Sequence, residues 1–146
     1  MTELSVREGQ PSDLPSLGGL DERVRSDPLR RASLVAHLSD AQCLIAEAGG
    51  ELLGFVLWDY SFFGCGFIPL IVVAASHRRR GVGLRLLRGV ETRCTRAKLF
   101  TSANASNDAA QALYGRAGFV PSGVIENLDE GDSELVFYKA CDGRKR

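Results

Sequence analysis

The stretch that most constrains this chain is Arg78-Arg79-Arg80-Gly81-Val82-Gly83. It stands between an apolar run, Phe67 to Val73, and a segment of helical periodicity beginning at Gly81. A helix N-terminus leaves backbone N–H groups unpaired and carries partial positive charge. Glycines at Gly81 and Gly83 let an anion reach that backbone, and the arginines bias the cradle towards phosphate. The plain alternative is a strand-to-helix turn with a solvated basic run. Two rival nucleotide motifs fail on the residues themselves. A dinucleotide fingerprint wants a third glycine where Leu86 stands. The NTPase phosphate loop wants Gly-Lys-Ser/Thr, which is missing here.

Around this junction the pattern alternates between strand and helix. Leu4-Ser5-Val6 reads as a first strand. Pro11-Ser12-Asp13 offers a helix N-cap, with Leu14, Leu17, Leu20 and Val24 following at helical spacing, weakened by Gly18-Gly19. A second helix is predicted from Pro28 to Leu38. Cys43 to Ala48 and Leu52 to Tyr60 form a hairpin about the Gly49-Gly50 turn. Ser61 to Gly66 then turns the chain into Phe67 to Val73, apolar on both faces like a covered central strand. Helix from Gly81 to Thr95, strand from Lys98 to Ser102, helix from Asn107 to Ala117 and strands at Phe119 to Ile125 and Glu134 to Lys139 complete the series. Gly118 is placed to end the last helix as a left-handed cap. Helices interleaved with strands indicate a mixed α/β sheet.

Composition narrows the function classes. At 146 residues the chain suits one domain, taken here as residues 1–142, with 143–146 a frayed basic tail. Lys plus Arg is 18 and Asp plus Glu is 18, so no net field draws the chain to nucleic acid or anionic lipid. Its 4 cysteines include no CxxC pair and have only His37 and His77 for company, so neither a metal site nor a disulfide framework is expected. Reduced thiols in a cytoplasmic protein are the expectation. Met1 to Gln10 is polar, which argues against a secretory signal. No apolar run reaches the ~18 residues of a membrane span.

A second motif follows the loop. Asn107-Asp108-Ala109-Ala110-Gln111-Ala112-Leu113-Tyr114-Gly115-Arg116-Ala117-Gly118-Phe119 fits N-x-x-A-x-x-L-Y-x-x-x-G-F. In a helix, Asn107 and Tyr114 are about two turns apart on one face, with the small Ala110 between them. Taken singly, Asn107 reads as an N-cap and Tyr114 as a core aromatic. Taken in order after R-x-x-G-x-G, they resemble the GNAT superfamily of acyl-CoA-dependent N-acetyltransferases, whose loop hallmark is Q/R-x-x-G-x-G/A. The resemblance covers Leu44 to Lys139. It implies a mixed, mostly antiparallel sheet of about seven strands flanked by about four helices.

The resemblance also implies roles. Arg78 and the backbone of Arg79, Arg80, Gly81, Val82, Gly83 and Leu84 would hold the pyrophosphate of coenzyme A. Leu70, Ile71, Val72 and Val73 would pair, strand-like, with the pantetheine arm. Asn107 and Ala110 would flank that arm, and Tyr114 would lie near the sulfur. Acetyl-CoA is then the co-substrate, a small-molecule or peptide amine the acceptor, and no metal, nucleic acid or membrane is involved. A homodimer stays open, as does a non-catalytic acyl-CoA sensor.

Direct transfer from thioester to amine needs an oxyanion donor, a proton for the leaving thiolate and a neutral amine. The resemblance assigns the first to the Ile71 backbone N–H and the second to Tyr114. Some members of the superfamily carry a glutamate on the strand before the loop, where this chain has Phe67. An aliphatic ammonium has a pKa of roughly 10, so a deprotonation route is needed, with Glu126, Asp129 and Asp59 the candidates. Glu126, Asp129, Glu130, Asp132 and Glu134 read as a solvated hairpin loop or as an acidic rim for a cationic amine. Trp58, Tyr60, Phe62 and Phe63 are candidate walls of an acceptor pocket, with core packing as the default. Cys65 has no neighbouring histidine and reads as packing rather than as a nucleophile.

Overall fold

Burial shows which segments are strands before any topology is drawn. Leu53 to Trp58 is buried at every position, as in a strand covered on both faces. Lys98 to Asn104 instead alternates, with Leu99, Thr101 and Ala103 buried. The computed structural model describes residues 3–77 and 80–141. The tail read at 143–146 lies outside the described residues. Seven strands follow the order β1-β2-β3-β4-β5-β7-β6 in one sheet. The β4–β5 pair is parallel, while β1–β2, β2–β3, β5–β7 and β6–β7 are antiparallel.

The chain divides into two compact units. The first comprises Met1–Trp58 and Leu70–Val90. In it β1 (Ser5–Glu8) pairs with β2 (Cys43–Ala48), and β2 with β3 (Glu51–Phe62). Gly49 and Gly50 join the hairpin with φ of 60° and 83°, the left-handed pair that a tight two-residue turn requires. Helices α1 (Leu14–Leu20), α2 (Arg23–Ser26) and α3 (Pro28–Ser39) contribute Leu17, Val24, Leu34 and Leu38 to a core with Ile45, Phe55 and Leu57. Truncating a fully buried leucine of this kind costs ~2–5 kcal/mol. Asp27 caps α3 by accepting from the amides of Leu29 and Arg30. In β4 (Cys65–Val73) the half Leu70 to Val73 belongs to this unit. A Cβ on Gly54 of β3 would lie 2.6 Å from Val72 O, so the two backbones approach there as only glycine allows. The short 3-10 turn Ala75–His77 leads towards α4 (Val82–Arg93), which buries Val82, Leu86, Leu87 and Val90 on one stripe.

The second unit comprises Asp59–Pro69 and Glu91–Arg146. Here β4 pairs with β5 (Lys98–Asn104) through Gly66↔Leu99, Phe67↔Phe100 and Ile68↔Thr101. β5 pairs with β7 (Asp132–Ala140) from Lys98↔Ala140 to Asn104↔Glu134, and β6 (Val120–Asp129) pairs with β7. α5 (Asp108–Arg116) packs Tyr114 against Phe119 and Phe137, with ring centroids 5.9 and 5.6 Å apart. Gly118, at φ 93°, closes α5 as expected.

Three sequence expectations change. Asp13 does not cap α1 with its side chain, because its carboxylate accepts from Gln10 N at 2.7 Å and from both terminal nitrogens of Arg7 at 3.0 Å. Pro11–Asp13 is itself a 3-10 turn. The first helical stretch breaks at Asp21 and not at Gly18-Gly19, which both lie inside α1. Asp21 Oδ1 accepts from Arg23 N at 3.2 Å and its Oδ2 from Arg30 at 2.5 Å, so a local side-chain turn interrupts the helix and separates α1 from α2. Finally, the acidic segment is mostly strand. β6 runs to Asp129 and β7 starts at Asp132, leaving Glu130-Gly131 as the turn.

Candidate functional site

The chain enters α4 at Gly81, inside the glycine-containing loop singled out in the sequence. Gly81 has φ 80°, a left-handed value that turns the chain into α4. Arg85 N donates to Gly81 O at 3.0 Å, the first bond of the helix. A helix forms no internal bond to the amides of its first turn, here those of Val82, Gly83 and Leu84, and they stand at its positive end. A Cβ added at Gly81 would meet no other atom within 4 Å, so its backbone lies open to a ligand. Gly83 is buried and Arg80 exposed. Arg80 donates towards His77 Nδ1 at 2.9 Å, while His77 Nε2 faces Glu51 Oε2 at 3.3 Å. Leu70 to Val73, with Ile71, stand half-buried on β4 in the same unit. Arg78 and Arg79 lie outside the described residues. The glycine turn, the open amides and the preceding half-buried strand fit a pyrophosphate with an extended arm.

The second group gathers on α5, β5 and β7. Tyr114 is 3% exposed, and its hydroxyl donates to Ser102 O at 3.3 Å. Burial pushes its phenol above the ordinary value; the neighbouring Thr101 hydroxyl lowers it, and the Glu134 charge raises it again. The proton is therefore firmly held at neutral pH. Asn107 is the N-cap of α5, its Oδ1 accepting from Ala110 N at 3.1 Å. It is exposed and Ala110 half-buried, so a contact from Asn107 to an amide carbonyl falls to its Nδ2.

One feature here escaped sequence reasoning, and a second was anticipated only at Phe62. Ser102 Oγ donates to Glu134 Oε2 at 2.7 Å, and Asn104 Nδ2 donates to Glu134 Oε1 at 3.1 Å and Asp129 Oδ2 at 2.8 Å. Beside them runs a row of half-buried aromatics. Phe62 stands 5.1 Å from both Phe67 and Phe100, and Phe100 5.2 Å from Tyr138. The signal for both was the alternation of Phe100, Ser102 and Asn104 along β5, which only the long-range pairing with β7 makes meaningful.

Of the other expected residues, Phe63 sets its ring edge-on to Phe62 at 5.0 Å, and the rest lie apart from this row. Glu126 is exposed on β6 and accepts from Ser133 Oγ at 2.5 Å. Asp59 accepts from Ser61. Trp58 is buried in the first unit, whereas Phe63 is 90% exposed. Tyr60 carries the Arg96 guanidinium over its ring at 4.5 Å and accepts from Thr95. Cys65 Sγ faces Phe63 O at 3.9 Å, and burial pushes the Cys43 thiol up to about 12. Two shallow hollows of about 400 and 310 Å³ lie among α1 to α3 and are lined by residues such as Glu22, Arg25 and Leu14. They contain neither the glycine cradle nor Tyr114, so volume is no guide to the chemistry here. Among the described residues no set of His, Cys, Asp or Glu side chains converges on a metal position. No described helix is long and apolar enough to cross a membrane.

The sequence model of the acetyltransferase (GNAT) family matches residues 11–119. A GNAT-family acetyltransferase structure from Bacillus cereus is 34% identical with TM-score 0.88, the match covering 95% of this chain and 98% of that one. The ribosomal-protein-S18-alanine N-acetyltransferase of Escherichia coli is 18% identical with TM-score 0.79, over 95% and 94%. The yncA protein of Salmonella typhimurium, solved with its cofactor acetyl-CoA, is 17% identical with TM-score 0.77, over 95% and 94%. The last two resemble this chain in fold alone. No curated protein matches it.

Proposed function

The chain belongs to the GNAT acetyltransferase family, and on that premise we propose that it moves an acetyl group from acetyl-CoA to a primary amine by direct attack in a ternary complex. The acceptor is a small molecule or a peptide. Residues 1–142 act as one acetyltransferase domain in this proposal, and the free cysteines suit a cytoplasmic setting. The observation that carries the reading is the N-terminus of α4, where a left-handed Gly81 presents the amides of Val82, Gly83 and Leu84. An anion held there gains hydrogen bonds and the helix dipole together. Arg78, Arg79 and Arg80 add charge to the same loop. Leu70 to Val73 hold the pantetheine arm, with the Ile71 amide as the oxyanion donor. Asn107 and Ala110 line the arm from α5.

Tyr114 supplies the proton that the thiolate takes. Support comes from its environment: a buried phenol keeps its proton at neutral pH, and its bond to Ser102 O is long enough to be exchanged. Glu126, Asp129 and Asp59 are the candidate carboxylates for taking the amine's proton through water.

The donor half is tested with Gly83→Asp, which sets a negative charge and extra bulk among the helix-terminal amides. Calorimetry should find CoA bound by wild type and bound at least 10²-fold more weakly by the variant, a loss of about 2.7 kcal/mol. Equal affinities would remove the loop from the reading.

A further inference from the structure

β5 sets Phe100, Ser102 and Asn104 on one face, and β7 sets Tyr138, Val136 and Glu134 opposite them. Glu134 is half-buried on this face and held at both oxygens, at 2.7 Å by Ser102 Oγ and at 3.1 Å by Asn104 Nδ2. Both partners are neutral, and the Asn104 amide that holds Glu134 also donates to Asp129 Oδ2 of β6 at 2.8 Å, so a second carboxylate faces the same group. Lys139, the cation near the end of β7, occupies the opposite strand face, where it donates to Ala117 O and pairs with Glu91 at 2.8 Å. These two bonds occupy two of roughly four lone-pair positions on a carboxylate, so Glu134 can accept a further donor. Ser102 joins it to the phenol, because Tyr114 donates to the Ser102 carbonyl while the Ser102 hydroxyl donates to Glu134. The carboxylate and the phenol are thus linked through one strand residue from its two sides, since Tyr114 packs on Phe137, which faces away from Glu134. Glu126, by contrast, is exposed and bonded to Ser133 on β7.

We propose that Glu134, oriented by Ser102 and Asn104, receives the ammonium group of the acceptor and takes its proton. The inference rests on the acetyltransferase reading and names the proton acceptor within it. Glu134 gains one proton and the nitrogen becomes neutral. Its lone pair forms the N–C bond to the thioester carbonyl, and the C–S bond breaks with its electron pair on sulfur. Tyr114 gives its hydroxyl proton to that thiolate and recovers one from the nitrogen, which still carries a surplus proton. Glu134 returns its own proton to water. Ammonium plus thioester thus become amide, thiol and one free proton.

The test uses the full chain and a primary amine that wild type acetylates, taken from phenethylamine, putrescine and a lysine-containing peptide. Wild type, Glu134→Gln, Glu134→Asp and Glu126→Gln are compared by kcat/KM as a function of pH. Glu134→Gln should lose ~10²-fold near neutral pH. The deficit should shrink about tenfold per pH unit towards the amine pKa of roughly 10, because solvent then supplies the neutral amine. Glu134→Asp should recover part of the rate. Titration calorimetry of the same amine into CoA-loaded protein should show weaker binding to Glu134→Gln. Melting temperature and CoA affinity should match wild type, which separates the effect from misfolding. An unchanged kcat/KM, a loss that does not vary with pH, or a larger loss in Glu126→Gln would overturn the assignment while leaving acetyl transfer intact. No acetylation of any of the three amines by wild type would overturn both.

Discussion

Replacing Tyr114 by phenylalanine separates a catalytic phenol from a packing ring. The ring contacts with Phe119 and Phe137, at 5.9 and 5.6 Å, survive the change. The lost hydrogen bond, 3.3 Å to Ser102 O, is longer than the roughly 2.5–3.0 Å of a strong hydroxyl bond. Its stabilising contribution belongs at the low end of ~0.5–1.5 kcal/mol. The melting temperature should therefore move by no more than about 3 °C. A donor needed only as the thiolate departs acts on the transition state, so its loss should appear in kcat, with acetyl-CoA affinity preserved. A thiolate is a good leaving group, so the loss should be ~10-fold, or about 1.4 kcal/mol, below the usual range for general acids. The pH dependence of stability gives a second arm. The folded-state pKa of Tyr114 is raised above the unfolded value of 10.0, so the folded state holds this proton more tightly. The stability this confers is complete below that value and is lost as pH rises through the folded pKa. Wild type should lose melting temperature above about pH 10 more steeply than Tyr114→Phe. Steady-state kinetics and thermal melts read both arms. An unchanged kcat would refute the catalytic role and leave Tyr114 as core filler.

Two further outcomes concern the frame around the site. Asp13→Asn should cost about 1–2 kcal/mol by urea melt, less than a buried ion pair because Arg7 is partly exposed. The Arg7 hydrogen bond lowers the Asp13 pKa below 3.8, so its stabilisation is present above that value and lost as pH falls through the folded pKa; the variant should lack that acid-side loss. Gly54→Ala should destabilise by ~1–3 kcal/mol, since its Cβ would fall 2.6 Å from the Val72 carbonyl oxygen, and a neutral melt would show that β3 and β4 can part there.

The loop and α5 were legible because their signals are local. A switch from an apolar run to helical spacing, with glycines between, fixes the start of α4 without reference to the rest of the chain. Asn107 and Gly118 likewise mark both ends of α5 in the sequence. The Ser102–Glu134 bond joins residues 32 positions apart, and it arises only once β5 and β7 are in register. Sequence read Glu134 as the edge of an acidic loop, because carboxylates and a glycine cluster there. The pairing of β6 with β7 brings strand pairing to that segment despite its low strand propensity. The break at Asp21 was missed for a similar reason. Glycine pairs weaken helices by propensity, yet the chain stops where an aspartate can bond Arg23 N and Arg30 instead.

The most direct test of acetyl transfer is the mass of the acceptor. Purified protein is incubated with acetyl-CoA and, in turn, phenethylamine, putrescine and a lysine-containing peptide, and each product is read by mass spectrometry beside free-thiol release. The account predicts one acetyl group added to nitrogen for at least one amine. Thiol and product should appear in equal amounts, and both should vanish in Gly83→Asp. Acetyl-CoA left intact with every amine, or thiol released without an acetylated amine, would contradict it.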